Sequence, residues 1–293
     1  MSDVNFLQPA DWRAALEARA SSPDAVVVAG GTDVLVELNF DRLHPMELID
    51  LERVEGIRSW SHDDATVRIA AGVTYSDLVE HLSGALPALA QAARSVGSPP
   101  IRNRGTIGGN LASASPAGDC HPPLFASGAQ VELSSSTSTR SVAIADFFTG
   151  PKRSVLRGDE LITAISAPVA TGPQAFSKIG VRNAMVIALC SFALALDPPG
   201  GRVGTGIGSA GPVPLRASEA EEFLSGHLAE SGSWESRAPL APSVLERFAE
   251  LVSDAARPID DIRASAAYRR HVLGVLARRS LSWCWAQYAE RDR

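Results

Sequence analysis

The segment Gly105-Thr106-Ile107-Gly108-Gly109-Asn110 decides which fold we expect of this chain, together with Ala29-Gly30-Gly31-Thr32-Asp33 further upstream. Each segment pairs two glycines with a small polar residue. Glycine has no Cβ, so it adopts positive φ and lets an anion approach the backbone amides to hydrogen-bonding distance. One such segment is weak support for an anion site, whereas two predict a bipartite amide cradle for a diphosphate. A branched side chain at Gly108 would then obstruct both the turn and the phosphate.

Composition sets the outer bounds on fold and function. A chain of 293 residues is long enough to bury a sizeable core and predicts two domains. Its 45% hydrophobic and 20% charged residues are typical of a soluble globular protein. A formal charge of −6 argues against a nucleic-acid surface, which normally needs clustered Lys and Arg. We therefore expect backbone amides to hold the diphosphate, helped by nearby arginines such as Arg102 and Arg104.

The sequence predicts a cytoplasmic protein without a metal site or a membrane span. The N-terminus has no basic region followed by an apolar core, so no signal peptide is predicted. The longest apolar stretch, 185–196, is shorter than the roughly 20 residues that a membrane helix needs. Three dispersed cysteines (Cys120, Cys190 and Cys284) are typical of a reducing compartment, and no C-x-x-C spacing indicates zinc or an iron–sulfur cluster.

Residue patterning predicts an α+β chain, because strands and helices are mixed without strict alternation. The first fifty residues predict a β-α-β unit with strands at 25–29 and 47–51. Thr74, with Asp77 three residues later, predicts a capped helix. Periodicity leaves 186–196 open between helix and strand, and it predicts a long helix over 264–288.

Three further motifs need separate interpretation. Residues 206–211 match G-x-G-x-x-G literally, but Pro212 and Pro214 follow where a dinucleotide fingerprint requires a helix. We expect a glycine-rich strand edge packed near a ligand instead. Cys120-His121 has no second ligand pair at a suitable spacing, so a structural use is favoured. No nucleophile–base pair is recognisable, and we assign no catalytic residue.

Asp119 ends the segment Ser115-Pro116-Ala117-Gly118-Asp119, close enough to Asn110 to fold back over the same ligand. A carboxylate beside a diphosphate is unfavourable, so Asp119 would instead accept a hydrogen bond from a hydroxyl or a ring N–H. The alternative is an aspartate that caps a turn. Spacing alone favours neither interpretation.

Taken together, 28–33, 96–111 and 114–119 resemble the FAD-binding medium subunit of the molybdenum hydroxylases, the family of xanthine dehydrogenase and aerobic carbon monoxide dehydrogenase. Residues 261–271 resemble the C-terminal domain of that subunit. The similarity covers nearly the whole chain in the same order. It is therefore far more specific than either glycine segment alone.

The resemblance implies a fold and a division into domains. It implies an FAD-binding domain of the PCMH type, which is vanillyl-alcohol-oxidase-like, over 1–170, with a β-α-β subdomain at 1–55 and a mixed-sheet subdomain at 56–170. A smaller domain with an antiparallel sheet and a helical bundle follows over 171–293. FAD would lie between the two domains.

The resemblance also implies the residues that bind FAD. The pyrophosphate would lie between the two glycine segments, and three more residues would contact the flavin end. A lysine near the N1–C2=O edge would stabilise negative charge on reduced flavin. The implied residues are Val28, Ala29, Gly30, Gly31, Thr32, Asp33, Thr106, Ile107, Gly108, Gly109, Asn110, Asp119, Ile162 and Lys178.

The implied function is electron transfer within a larger enzyme. A large subunit would hold the molybdopterin cofactor and a small subunit two [2Fe–2S] clusters, in a dimer of heterotrimers. Electrons from the clusters would reach FAD on this chain and pass to NAD, a quinone or another acceptor. The alternatives are a stand-alone PCMH-type flavin oxidoreductase and a scaffold subunit that has lost its flavin. The substrate pocket would lie on another polypeptide.

Overall fold

A three-stranded parallel sheet begins the chain and leads into the first glycine segment. The structure, a computed structural model, describes residues 4–290. The first elements are β1 (Asn5–Leu7), α1 (Trp12–Ser21), β2 (Val26–Val28), α2 (Val34–Asn39) and β3 (Glu47–Asp50). Strand β3 lies in the centre and pairs in parallel with both neighbours. The predicted β-α-β unit is present as β2-α2-β3, whereas β1 is too short to show a periodic pattern.

A five-stranded antiparallel sheet follows. The strands of this part are β4 (Trp60–His62), β5 (Thr66–Ala70), β6 (Gln130–Ser134), β7 (Thr139–Ala143), β8 (Phe148–Gly150), β9 (Arg153–Ser154) and β10 (Leu161–Pro168). The order in the sheet is β4-β5-β10-β6-β7, and β8 and β9 form a separate ribbon. Strand β10 is central and buried along most of its length. It is the last of the five strands in sequence yet lies between β5 and β6. The chain must therefore return to the centre of the sheet to complete it.

The segment between β5 and β6 is helical, and it contains the second glycine segment. Its helices are α3 (Tyr75–His81), α4 (Pro87–Ser95), α5 (Pro99–Arg104), α6 (Ile107–Ser113) and α7 (His121–Ser127), and α8 (Ile144–Phe147) follows β7. The predicted capping box at Thr74 and Asp77 is confirmed. The second glycine segment is wrongly predicted as a turn, because its two glycines lie in the first turn of α6. Thr106 caps that helix, accepting from the Gly109 amide at 3.0 Å, and the cap offsets the poor helix propensity of glycine.

The last third of the chain combines a small sheet with four helices. Its elements are β11 (Gln174–Ile179), β12 (Cys190–Asp197), β13 (Arg202–Gly208), α9 (Ser218–Glu230), α10 (Ser233–Ser236), α11 (Pro242–Ala255) and α12 (Ala266–Glu290). The three strands are antiparallel in the order β11-β12-β13. Of the ambiguous 186–196 stretch, residues 190–196 resolve as strand β12, whose apolar residues are buried on both faces, while 186–189 precede the strand. The predicted long C-terminal helix is confirmed.

Three large hydrophobic clusters and one small one, the small one between α7 and β12, stabilise the described parts of the structure. One large cluster lies between the parallel sheet and α1, a second between the five-stranded sheet and helices α3, α4, α6 and α7, and a third between the small sheet and the C-terminal helices. Leu161 of β10 belongs to the first cluster, while Ile162 belongs to the second. The first two parts are thus joined through adjacent residues of one strand.

The literal G-x-G-x-x-G motif has a packing role. Helix α7 lies directly on β13, and a Cβ added at Gly206 would stand 1.9 Å from the Pro122 carbonyl oxygen. A Cβ at Gly208 would meet the Pro122 ring at 2.9 Å. The expected ligand beside this strand edge is therefore replaced by α7. These glycines set how closely the last third of the chain approaches Asp119, which comes two residues before α7.

Candidate functional site

The two glycine segments converge on one cavity of about 220 Å³. It lies between the loop after β2 and the first turns of α6. The lining residues are Val27, Ala29, Gly30, Gly31, Thr32, Asp33, Val34, Tyr75, Thr106, Gly109, Asn110, Ala112 and Ser113. Segments far apart in sequence therefore form the two walls of one site.

The glycines of the first segment have different local roles. Gly31 adopts φ +73°, a left-handed conformation that L side chains rarely tolerate. At Gly30 the requirement is close approach, because an added Cβ would stand 1.9 Å from the carbonyl oxygen of Arg104. The first segment thus packs backbone to backbone against the residue just before the second segment. This contact holds the two walls of the cavity together.

The amides of the first segment are available to a ligand. Within residues 4–290, no oxygen accepts a hydrogen bond from the backbone amides of Gly30, Gly31, Thr32 or Asp33. The Asp33 carboxylate accepts from the Ser113 hydroxyl at 2.8 Å, which ties the two walls together at a second point. Amides that face a cavity without a partner favour an anionic ligand there.

The amides of the second segment bond within the protein. Ile107 donates to Val73 and Gly108 donates to Ala71, while the Gly109 and Asn110 amides donate to the Thr106 hydroxyl and carbonyl. The expectation of a second amide cradle is therefore wrong. Gly108 is glycine for packing, since it does not line the cavity and a Cβ there would stand 2.6 Å from Cβ of Ala71.

The second segment contributes side chains to the cavity. The Asn110 amide oxygen is buried and has no hydrogen-bond partner within the described part of the chain. Tyr75 is 6% exposed, and burial raises the pKa of its hydroxyl well above the usual value, so this group stays a neutral donor. An Asn oxygen left without a partner at a cavity wall is costly, and a ligand donor would remove that cost.

Asp119 and Lys178 lie together at the junction of the two halves of the chain. The Lys178 ammonium lies 2.6 Å from Oδ2 of Asp119 and also donates to the carbonyl of Ser95 at 2.9 Å. The Ser95 hydroxyl donates to the same carboxylate oxygen at 3.2 Å. Burial raises the pKa of Asp119, and the nearby Lys178 partly opposes this effect. The other oxygen of Asp119, Oδ1, is buried without a partner in the described residues.

The cavity thus contains eight of the fourteen residues expected from the sequence. Val28, Ile107, Gly108, Asp119, Ile162 and Lys178 are not on its wall. Ile107, the first residue of α6, is fully buried, and Ile162 is 6% exposed beside an irregularity in the β10–β6 pairing. Asp119 and Lys178 form the separate polar centre described above, paired with each other. Neither interpretation of Asp119 anticipated a lysine partner from the second half of the chain.

Sequence reasoning missed five residues of the cavity wall: Val27, Val34, Tyr75, Ala112 and Ser113. Val27 and Val34 directly flank the first segment, so a wider window would have included them. Ala112 and Ser113 lie one helical turn beyond Gly108 and Gly109, a signal visible only once the second segment is recognised as a helix. For Tyr75, which follows the N-cap of another helix, we find no sequence signal.

The arginines expected near the diphosphate make other contacts. Arg104 forms a two-point ion pair with Glu52 at 2.6 and 2.9 Å, and Arg102 donates to the carbonyls of Val96 and Gly97. Neither residue lines the cavity. An anion bound here would therefore rely on backbone amides and polar side chains.

The cysteines and histidines of the described residues form no cluster suited to a metal ion. All three cysteines are free and buried, and the Cys120-His121 pair is fully buried at the start of α7. Within residues 4–290, no helix is both long and apolar enough to cross a membrane.

The residues present fit an elongated diphosphate ligand with a polar ring at one end. A cavity of 220 Å³ is smaller than the roughly 300–1,000 Å³ of typical ligand pockets, so it suits one part of such a ligand. The open amides match the diphosphate. The partnerless oxygen of Asp119 offers an acceptor to a ring N–H, and Lys178 offers a positive charge beside it.

Comparison with known families identifies both halves of the chain. Residues 2–170 match the family described as the FAD binding domain in molybdopterin dehydrogenase. Residues 175–284 match the CO dehydrogenase flavoprotein C-terminal domain.

Individual relatives span nearly the whole chain. The nicotinate dehydrogenase FAD-subunit of Eubacterium barkeri is 31% identical over 284 residues, covering 92% of each chain. The xanthine dehydrogenase FAD-binding subunit of Escherichia coli O157:H7 is 30% identical over 277 residues, covering 92% of this chain and 91% of its own.

A solved structure of the carbon monoxide dehydrogenase from Hydrogenophaga pseudoflava superimposes with a TM-score of 0.86 and 27% identity, covering 97% of this chain and 98% of that one. A chain of quinoline 2-oxidoreductase from Pseudomonas putida 86 gives a TM-score of 0.87 with 25% identity, covering 98% of both chains. The similarity therefore includes the arrangement of both halves of the chain.

Proposed function

The chain belongs to the family of FAD-binding medium subunits of molybdenum-containing dehydrogenases, and from this we propose that it binds FAD and serves as the electron-transfer subunit of a larger complex. Bound FAD supplies a redox centre that exchanges electrons with a donor and an acceptor. The protein's task is to hold that centre, orient it and tune its electrostatic surroundings.

One observation carries the proposal: the open amides of 30–33 line a cavity whose opposite wall holds the polar side chains of Thr106 and Asn110. We assign the pyrophosphate to this cavity, bound by the amides of Gly30, Gly31, Thr32 and Asp33. The Thr106 hydroxyl and the side-chain nitrogen of Asn110 would donate to it from the opposite wall, and the side-chain oxygen of Asn110 would accept from a hydroxyl of the ligand. Val28, Ala29, Ile107 and Gly108 would shape the two walls without donating to the ligand.

The flavin end is assigned to Asp119, Ile162 and Lys178. Oδ1 of Asp119 would accept from a ring N–H, which would give this buried oxygen the partner it lacks. Lys178 keeps Asp119 ionised by charge pairing and presents a positive charge to the ring edge where reduction places negative charge. Ile162 would contribute backbone and apolar contact at the edge of β10.

We further propose that a partner subunit with [2Fe–2S] clusters delivers the electrons and that a large molybdopterin-binding subunit oxidises the substrate, in a dimer of heterotrimers. An external acceptor such as NAD or a quinone would take the electrons from this chain. The two family matches support the division at about residue 170, and the separate hydrophobic clusters support a further division of the first part. We place the complex in the cytoplasm.

The test is to purify the full chain alone and together with its co-expressed genomic neighbours. We expect a flavin absorbance band, FAD released on denaturation, and co-purification of iron and molybdenum with the neighbours. A colourless protein that does not take up added FAD would contradict the proposal and favour a flavin-free scaffold. Turnover of a substrate by the chain alone, with no metal-containing partner, would favour a stand-alone oxidoreductase.

A further inference from the structure

His121 is a fully buried imidazole between the two ends of the proposed ligand site. It is the first residue of α7 and stands two positions after Asp119. The proposed function gives it no role. Its Nδ1 is buried without a hydrogen-bond partner in the described residues, so the ring is held by the contact of Nε2 and by packing, and these contacts show what it connects.

The ring is held from three sides. Its Nε2 lies 3.1 Å from the carbonyl oxygen of Asn110, and since a carbonyl only accepts, Nε2 is the protonated nitrogen. The turn before α7 folds over the ring so closely that a Cβ at Gly118 would stand 2.3 Å from its Cε1. Phe148 packs against it with ring centroids 4.6 Å apart.

These contacts join the two ends of the site. Asn110 belongs to the wall of the diphosphate cavity, whereas Gly118 and Asp119 lead to the ion pair with Lys178. The turn at Gly118 is also tied to the second half of the chain, because the neighbouring Pro116 carbonyl accepts from the Ser209 amide at 2.9 Å. A displacement of the imidazole would therefore alter the spacing between Asn110 and Asp119.

We propose that His121 is a positioning residue for FAD, one that fixes the distance between the pyrophosphate wall at Asn110 and the flavin end at Asp119. The inference rests on the proposed function, and it assigns to His121 no contact with the cofactor. Burial lowers the pKa of the ring to about 4, so it stays neutral at physiological pH and keeps a single N–H for Asn110.

Two substitutions separate the hydrogen bond from the packing. His121→Phe keeps a buried ring of similar size but removes the N–H donor. His121→Gln replaces the ring by an amide that still donates. FAD is removed from the full chain, and its dissociation constant and the visible circular dichroism of the rebound flavin are measured. We expect His121→Phe to weaken FAD binding about tenfold, the effect of one lost buried hydrogen bond, and to change the flavin spectrum. His121→Gln should restore both to within about threefold.

A control and a second variant keep the test decisive. Phe248→Leu in α11 removes buried volume in the C-terminal hydrophobic cluster, away from the site, so it should lower the melting temperature without changing FAD affinity. If His121→Phe does not fold, His121→Met provides a flexible side chain that also lacks the donor.

Wild-type affinity and spectrum in His121→Phe would overturn the inference while leaving the proposed function intact. Equal loss of FAD in the Phe and Gln variants, in proportion to lost stability, would overturn it as well. A wild-type chain that binds no FAD would overturn both.

Discussion

The ammonium of Lys178 lies 2.6 Å from the carboxylate of Asp119, and this ion pair joins strand β11 to the turn before α7. Lys178 is 13% exposed and Asp119 8%, so the pair is largely desolvated. Lys178 further donates to carbonyls of Ser95 and Val186. One side chain from the second half of the chain thus organises three segments around the proposed flavin end.

Replacing Lys178 by Met is expected to destabilise the protein by about 3 kcal/mol, because it leaves the buried carboxylate of Asp119 without its counter-charge. The pKa of Asp119, already raised by burial, should rise further. Urea denaturation at pH 7 measures the change. The exposed pair of Arg202 and Asp197 is the control, and Arg202→Met should cost less than about 1 kcal/mol. Equal losses in both variants would contradict a buried, structural role for Lys178.

The close packing of α7 on β13 leads to a second prediction, about the stability of a Gly206 variant. Gly206→Ala would place a Cβ 1.9 Å from the carbonyl of Pro122, so α7 has to move away from the sheet. We expect a loss of at least about 3 kcal/mol in the free energy of unfolding, measured by chemical denaturation. Proteolysis should also become faster between the two halves of the chain.

Gly226→Ala is the matched control for that change. Gly226 lies within helix α9, and a Cβ there meets no atom within 4 Å. The substitution should therefore stabilise the protein by about 0.5–1 kcal/mol, since Ala is the better helix former. Destabilisation by both alanines would show that the β13 glycines have no special packing role.

The two glycines of α6 are expected to respond differently. Gly108→Ala collides with the backbone of Ala71, so it should destabilise the fold by about 2 kcal/mol. In Gly109→Ala the new methyl group meets only the Thr106 hydroxyl, at 3.0 Å, on the wall of the cavity. It should leave stability within about 1 kcal/mol of wild type and weaken FAD binding at least about tenfold. FAD titration and thermal unfolding separate the two effects. Unchanged FAD affinity in Gly109→Ala would count against the pyrophosphate assignment.

His121 predicts how stability depends on pH. Burial lowers its pKa from 6.5 in the unfolded chain to about 4 in the folded one, so the unfolded chain binds a proton first as the solution is acidified. The stabilisation by the neutral ring is complete above pH 6.5 and is lost as the pH falls toward 4. About 3 kcal/mol should be lost over this interval. Urea denaturation at pH 7 and 4.5 checks this. In His121→Gln, which does not titrate, the same interval should show a smaller loss.

Much of the fold could be predicted from interactions between residues that are close in the sequence. The capping box at Thr74 and the periodicity of α12 are interactions between residues close in the chain, so they are visible in the sequence. The sequence did not show that β12 is a strand, because a strand buried on both faces and a buried helix share the same apolar composition. Strand β1 was not predicted, because three residues are too few to show a periodic pattern.

The sequence by itself determined the family and the two glycine segments, since the order of several long motifs is specific even when each motif is not. Only the tertiary structure decided what each glycine does. Gly30, Gly108 and Gly206 admit protein backbone or side chains at close approach, while the amides of 30–33 stay open to a ligand. It also decided the partner of Asp119 and the place of His121. Such contacts join residues distant in the chain, and their distances are set by how sheets and helices pack, which local patterns do not encode.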